Sequence, residues 1–263
     1  MTQLSTLTTE KPDTQARPAT NRTGIVVGHT HWDREWYLPF EGFRARLVAM
    51  LDGLVEILER DPEYRSFMLD GQAIMLEDYL QVRPEMEERV RRLAKAGRLK
   101  VGPWYTAADT LLPDPESLVR NLQLGRWASQ RMGAEPMPVG YMPDLFGFSG
   151  QIPQILRNFG IENAFAWRGL HPEDAANVCW WSSPDGSRVL TLRLKEGYSE
   201  AAVGVVDPER FLREHLPGLV EQQDKGLNRN RLFKMGSDHF IASPRQPWLS
   251  GRIAEQVGHP VEV

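Results

Sequence analysis

Gly24-Ile25-Val26-Val27-Gly28-His29-Thr30-His31-Trp32-Asp33 decides how the rest of the chain is read. A short β-branched apolar run predicts a buried strand. It ends in two imidazoles and a carboxylate within five residues, followed by Trp36. Burying the strand is favourable, but His, His and Asp at its tip lose hydration unless something compensates them. A divalent cation held by imidazole nitrogen and carboxylate oxygen is one compensation. The other reading is a strand end whose His and Asp cap a turn in solvent.

Outward from this strand, strand-like and helix-like segments alternate. Apolar positions from Phe43 to Leu58 form a helical stripe over 42–60, stopped by Asp61-Pro62. Tyr64 to Leu69 reads as a second strand ending at Asp70, with a helix following through Glu77 and Tyr79. Pro84 sits in the first turn of another helix, with Val90 and Leu93 inward and Gly97 past its end. Leu99 to Val101 is strand three, and Asp114-Pro115 starts a helix reaching about Met132. Pro138 to Met142 and Ala164 to Trp167 are strands four and five, and Pro184-Asp185-Gly186 turns a hairpin. Arg231 to Met235 is a further strand. This order predicts a parallel α/β sheet or barrel.

Composition bounds the partners. The 263 residues fit one large domain or two small ones, with 41% hydrophobic and 25% charged residues as in ordinary globular chains. A net charge of −4 provides no basic surplus for nucleic acid or an anionic membrane, so neither is expected. No apolar stretch approaches the ~18 residues of a membrane span. The single cysteine, Cys179, rules out an internal disulfide and fits a cytoplasmic location. Residues 1–23, rich in Thr, Gln, Pro and Arg, read as a disordered leader before a domain over 24–263.

Most predicted strands end in a polar or aromatic constellation: His31/Asp33/Trp36, Asp70, Trp104/Tyr105/Asp109, Asp144/Phe146, Trp167/Arg168 and Asp238/His239. Active sites of α/β folds lie at the carboxyl ends of their strands. A polar pocket lined with aromatics suits a sugar, whose ring faces stack on aromatics while carboxylates take the hydroxyls.

These residues also resemble a known family. His31-Trp32-Asp33 with Trp36, Gly102-Pro103-Trp104-Tyr105 leading to Asp109, the 116–122 run, Pro143-Asp144-Leu145-Phe146-Gly147 within 142–156, and Trp167-Arg168-Gly169 are similar to glycoside hydrolase family 38, the retaining α-mannosidases. The Gly-Pro-Trp-Tyr run and the Trp181 to Ser187 hairpin resemble its bacterial branch, which includes mannosylglycerate hydrolases. The resemblance covers about residues 24–263. It implies an irregular seven-stranded parallel β/α barrel and a zinc-dependent retaining hydrolase of terminal α-mannosides, acting through a covalent mannosyl-aspartate.

Carried over residue by residue, the resemblance implies that His31, Asp33 and Asp144 bind one zinc ion. Asp144 would also be the nucleophile, and Asp238 the acid/base. Trp36 and Phe146 match aromatic positions lining the sugar subsite, and Arg168 an arginine beside the nucleophile. The substrate would be an α-mannoside or a mannosylglycerate-like sugar. The family's fourth zinc ligand, a downstream histidine, has no match, leaving His239 or water. Family members carry a helical bundle and β-sandwich domains after the barrel. This sequence stops at Val263, after a segment that reads as the start of a strand, so the expectation is a barrel incomplete at its C-terminal end. A homo-oligomer or a partner chain could supply what is missing.

Other readings stay open. Asp70 either faces the pocket or caps the next helix, and His239 is either a ligand or a supporting loop residue. Glu116 reads as a helix-dipole acid, Trp180 and Trp181 as sheet packing, and Cys179 as buried packing. Tyr198 weakly resembles a pocket tyrosine of the family. A metal-dependent amidohydrolase would need ligand histidines on middle strands, where only His171 and His215 occur between His31 and His239. A carbohydrate-binding remnant without catalysis is the non-enzyme alternative.

Overall fold

β1 (Gly24–Thr30) is paired along both edges, which is why its sequence is almost wholly apolar until it reaches the histidines. The computed structural model describes residues 22–169, 178–194, 197–224 and 230–263. β8 (Arg231–Met235) runs parallel to β1 from Gly24↔Arg231 to Gly28↔Met235. The other edge takes β9 (Val261–Glu262) at its start and β2 (Phe67–Leu69) at its end, where His29 pairs with Met68. β3 (Leu99–Lys100) pairs with β2 and completes a parallel sheet of order β3-β2-β1-β8, with β9 beside β1.

A second sheet has the order β4-β5-β7-β6, formed by β4 (Gly140–Met142), β5 (Asn163–Ala166), β6 (Val178–Ser182) and β7 (Arg188–Arg193). β4, β5 and β7 are parallel; β6 returns antiparallel to β7 through the predicted hairpin. The fold is therefore mixed α/β with mainly parallel strands.

Helices fill the connections. α1 (Phe40–Arg60) buries the predicted stripe through Phe43, Leu47, Leu51, Leu54 and Leu58, and stops at Asp61. α2 (Ile74–Leu80) follows β2, and a 3-10 turn at Pro84–Met86 leads into α3 (Glu87–Lys95). Together they pack on β2 and β3 around Phe67, Leu69, Tyr79, Val90 and Leu99. α4 (Pro115–Arg131) is capped as predicted, the Asp114 carboxylate accepting from the Ser117 amide at 3.0 Å. With α5 (Ile152–Asn158) it covers the second sheet around Leu122, Met142, Leu156 and Trp181. α6 (Val203–Val206), α7 (Pro208–Arg210), a π-helical segment Phe211–His215, α8 (Leu216–Asp224) and α9 (Gln246–Val257) pack against β1 and β8 around Val26, Phe211, Phe233 and Ile253.

The sequence reading misses α5 to α9. Several are too short for a full apolar stripe, and Pro208, Pro217, Pro247 and Gly251 interrupt the period. β2 is shorter than predicted: Tyr64 precedes the ladder, its buried hydroxyl donating to the Gln246 side chain at 3.0 Å. The predicted leader lies outside the described residues up to position 21. Arg22 already pairs with Asp224, and the Thr23 carbonyl accepts from the Arg231 amide at 3.0 Å. Among the described residues, no helix is long and apolar enough to cross a membrane.

Candidate active site

β1 and β8 remain registered past their last ladder residues. The His31 amide donates to the Ser237 carbonyl at 3.0 Å, and the His239 amide to the His31 carbonyl at 2.8 Å. His31 and Asp238 therefore end at the same level on adjacent strands. β2 ends at Asp70, which turns in the left-handed region at φ 49°. Among the described residues, the non-glycine residues with positive φ are Asp70 and His239, and both are in this site. Such backbone is costly for an L side chain and persists only where its surroundings over-determine it.

The turn at Asp70 puts a fully buried carboxylate under His31, with Oδ2 2.9 Å from Nδ1. The same oxygen accepts from the Trp32 amide at 2.9 Å and from Gln72 Nε2 at 2.8 Å. Gln72 in turn takes Thr106 and Ala107 onto its carbonyl oxygen, tying the loop after β3 to this point. Asp70 therefore faces the pocket. It does not cap α2, whose N-terminal residue Ala73 makes no side-chain cap. With Nδ1 facing Asp70, His31 presents Nε2 to Asp33 Oδ1 at 3.5 Å and to Asp144 Oδ2 at 3.8 Å.

Asp144 follows β4 and Arg168 follows β5. Arg168 Nε donates to Asp144 Oδ1 at 2.6 Å, and its guanidinium lies over Trp167, 4.0 Å from the ring centroid, and over Phe146 at 4.7 Å. Tyr198, just beyond β7, joins the two ends of the site. Its hydroxyl lies 3.2 Å from Asp144 Oδ2 and hydrogen-bonds Asp238 Oδ1, and its ring sits 4.8 Å from that of His31. His31, Asp33 and Asp238 from the first sheet thus meet Asp144, Arg168 and Tyr198 from the second.

Adjacent residues on an extended strand point to opposite faces, which predicts that only one of Asp238 and His239 reaches the pocket. The turn at His239, φ 54°, brings it against Asp33 instead. Its Nε2 lies 3.3 Å from the Asp33 amide, 3.4 Å from the Asp33 carbonyl and 3.7 Å from Oδ2. The ring stacks on Phe43 at 4.4 Å and meets Trp32 edge-on. That nitrogen is engaged by the Asp33 backbone in either tautomer, so His239 supports Asp33. Trp36 is 66% exposed and leans on Tyr37, and Phe146 is 71% exposed, joined to the site through Arg168.

Charge explains the arrangement. Burial disfavours a proton on His31, but the carboxylates of Asp70 and Asp33 outweigh it and push the ring up to about 11. Burial also works against an ionised Asp33, yet His31 and His239 hold it below the usual carboxylate range. Burial first, and then contact with the two carboxylates, raises the Tyr198 phenol far above its ordinary value. Three carboxylates around one imidazole, with Arg168 the one arginine bonded to Asp144 among the described residues, have the chemistry of a candidate seat for a cation. Ligands of a tetrahedral zinc bonded at ~2.0–2.1 Å lie about 3.3–3.5 Å apart, close to the spacings around His31 Nε2. The Asp70–His31 contact is the kind of outer-shell carboxylate that orients a metal-bound imidazole. Even so, among the described residues no three His, Cys, Asp or Glu side chains form a preassembled metal cage.

Residues outside the cluster follow their structural readings. Trp181 and Cys179 are buried, and Glu116 pairs with Arg120 at 2.8 Å on the surface. His215 ends a π-helical segment and is no strand-end ligand; His171 lies outside the described residues. Sequence reasoning missed His29 as a supporting residue, and missed Lys234. The one visible signal was a lysine inside an apolar strand, Leu232-Phe233-Lys234-Met235.

Comparison with known proteins finds relatives of this chain. The model of the glycosyl hydrolases family 38 N-terminal domain matches residues 22–255. The chain is 39% identical over 230 residues to the "Putative mannosylglycerate hydrolase" of Halalkalibacterium halodurans, an alignment covering 83% of this chain and 26% of that protein. It is 27% identical over 229 residues to human alpha-mannosidase 2C1, covering 85% and 21%. The crystal structure of an alpha-mannosidase from Enterococcus faecalis V583 superposes with a TM-score of 0.84 at 34% identity, over 92% of this chain and 28% of that one. The chain thus spans about a quarter of the length of these relatives.

Proposed function

The chain belongs to glycosyl hydrolase family 38, and from that membership we propose that its site cleaves terminal α-mannosides with retention. The substrate is an α-mannoside or a mannosylglycerate-like sugar, in keeping with the names of the relatives. One observation carries this reading: a single tyrosine hydroxyl touches both Asp144 and Asp238. Two carboxyl groups that both reach one hydroxyl lie close together, which supports the short spacing of retaining glycosidases, about 5–5.5 Å, over the ~6.5–9.5 Å of inverting ones.

In this reading Asp144, oriented by its bond from Arg168, attacks the anomeric carbon while Asp238 gives its proton to the leaving oxygen. A covalent mannosyl-aspartate results, and Asp238 then takes a proton from the water that hydrolyses it. Tyr198 has one proton to donate and two carboxylates to face. Both contacts are satisfied when Asp238 carries its own proton, the resting state an acid/base needs. Trp36 and Phe146, both exposed, would offer aromatic faces to the sugar ring.

His31, Asp33 and Asp144 would hold a zinc ion, with Asp70 orienting His31; bound there, zinc supplies Lewis-acid grip on vicinal sugar hydroxyls. The two sheets are read as arcs of one irregular seven-stranded barrel, because side chains from both converge at their carboxyl ends. A cytoplasmic location accords with the lone, buried cysteine.

Hydrolysis of an aryl α-mannoside by the wild type and by Asp144→Ala, with and without added zinc, tests the proposal. Metal-stimulated turnover that falls at least ~10³-fold in the variant is expected. Zinc and sugar binding without turnover would replace hydrolysis with carbohydrate binding.

A further inference from the structure

Lys234 lies in the middle of β8 with its ammonium 2% exposed, inside the protein. An isolated ammonium there would cost several kcal/mol. Its Nζ donates to the Gly197 carbonyl and stands 3.4 Å from Glu200 Oε1. His29, on the neighbouring strand, places Nε2 3.0 Å from the next carbonyl, that of Tyr198. A carbonyl only accepts, so the proton of this buried imidazole is on Nε2. Two donors rising from adjacent parallel strands thus grip two consecutive carbonyls of one loop.

Two more bonds fasten the same loop. The Ala201 amide donates to the Lys234 carbonyl at 3.2 Å, and the hydroxyls of Ser199 and Ser237 are 2.8 Å apart. Gly197 is at φ 74°, and a Cβ there would come within 3.0 Å of the Trp167 ring. The loop is held by these donors and packs against an indole. What the pinning delivers is the Tyr198 side chain, which bridges Asp144 and Asp238.

We propose that Lys234 and His29 are positioning residues, which hold the 197–201 loop so that the Tyr198 hydroxyl sets the spacing and proton sharing of Asp144 and Asp238. The consequence for catalysis rests on the hydrolase reading above; the clamp itself does not. A role in fold stability alone would leave Tyr198 indifferent to which donor sits beneath it. A positioning role makes the phenol environment depend on the donors one by one.

Tyrosine labelled with carbon-13 at Cζ reports this directly, because the chain has six tyrosines. The Tyr198 line is assigned by its loss in Y198F. At one pH, without metal or sugar, that line is expected to move at least halfway toward the exposed Tyr37 line in K234M and in H29L. The buried Tyr64, Tyr79 and Tyr141 lines should hold still. In H29Q, whose carboxamide nitrogen can donate to the same carbonyl, it should stay at the wild-type position. An unmoved line in K234M and H29L overturns the clamp, as does an equal displacement in H29Q and H29L. If K234M does not fold, the His29 pair decides; collapse of all lines in both K234M and H29L marks a folding element and also overturns it. Failure here leaves the Asp144→Ala turnover test standing, and failure of that test leaves the clamp standing.

Discussion

His29 and His31 stand two residues apart on one strand, and their surroundings drive them in opposite directions. Burial, reinforced by the charge of Lys234, lowers His29 to about 4, while Asp70 and Asp33 overcome burial and raise His31 to about 11. A group protonated in the unfolded chain but neutral in the folded one loses its stabilising contribution as pH falls between the two values. For His29 that window runs from 6.5 down to about 4. Relative to H29Q, which does not titrate there, the wild type should therefore lose about 3 kcal/mol across it, at ~1.4 kcal/mol per unit. Urea unfolding of both proteins at pH 6.5 and pH 4 measures this, and parallel curves would refute it.

The elements depend on close approach at a few points, and α4 gives the clearest case. Gly125 lies in its middle, where glycine costs about 0.5–1 kcal/mol relative to alanine. A Cβ at that position would come within 2.2–2.3 Å of the backbone of Pro103, Trp104 and Tyr105. Backbone cannot swing aside as a side-chain tip can, so steric exclusion outweighs helix propensity. Gly125→Ala should destabilise the chain by at least about 2 kcal/mol, although the same change stabilises an exposed helix. At the start of that helix, Asp114→Ala removes the bond to the Ser117 amide and should cost about 1 kcal/mol. Thermal unfolding separates the two: the glycine substitution should lower the midpoint more than the cap substitution does.

At the scale of the molecule, the candidate cation seat joins two sheets. His31 and Asp33 come from the sheet built on β1, and Asp144 from the one that begins with β4. A cation held by all three would bind the folded chain and not the unfolded one. At a hundredfold excess over its dissociation constant it would add about 2.7 kcal/mol of stability. Zinc should therefore raise the melting midpoint of the wild type by several degrees and leave that of Asp144→Asn almost unmoved. An equal rise in both would place the metal elsewhere.

Much of this was readable in the chain itself. Alternating strands and helices, the Asp114 cap, the hairpin and the range of β8 follow from local periodicity and turn chemistry, which act over a few residues. The motif residues His31, Asp33, Asp144, Arg168 and Asp238 were marked by their place at strand ends. Which of them touch was implied only by the family resemblance and not by local pattern, because those contacts join positions up to about two hundred residues apart. Only the folded backbone sent Asp70 under His31, turned His239 onto Asp33 and set Tyr198 between two carboxylates. Lys234 and His29 were invisible for the same reason: a buried charge reveals its purpose only through the partner that the tertiary fold brings to it.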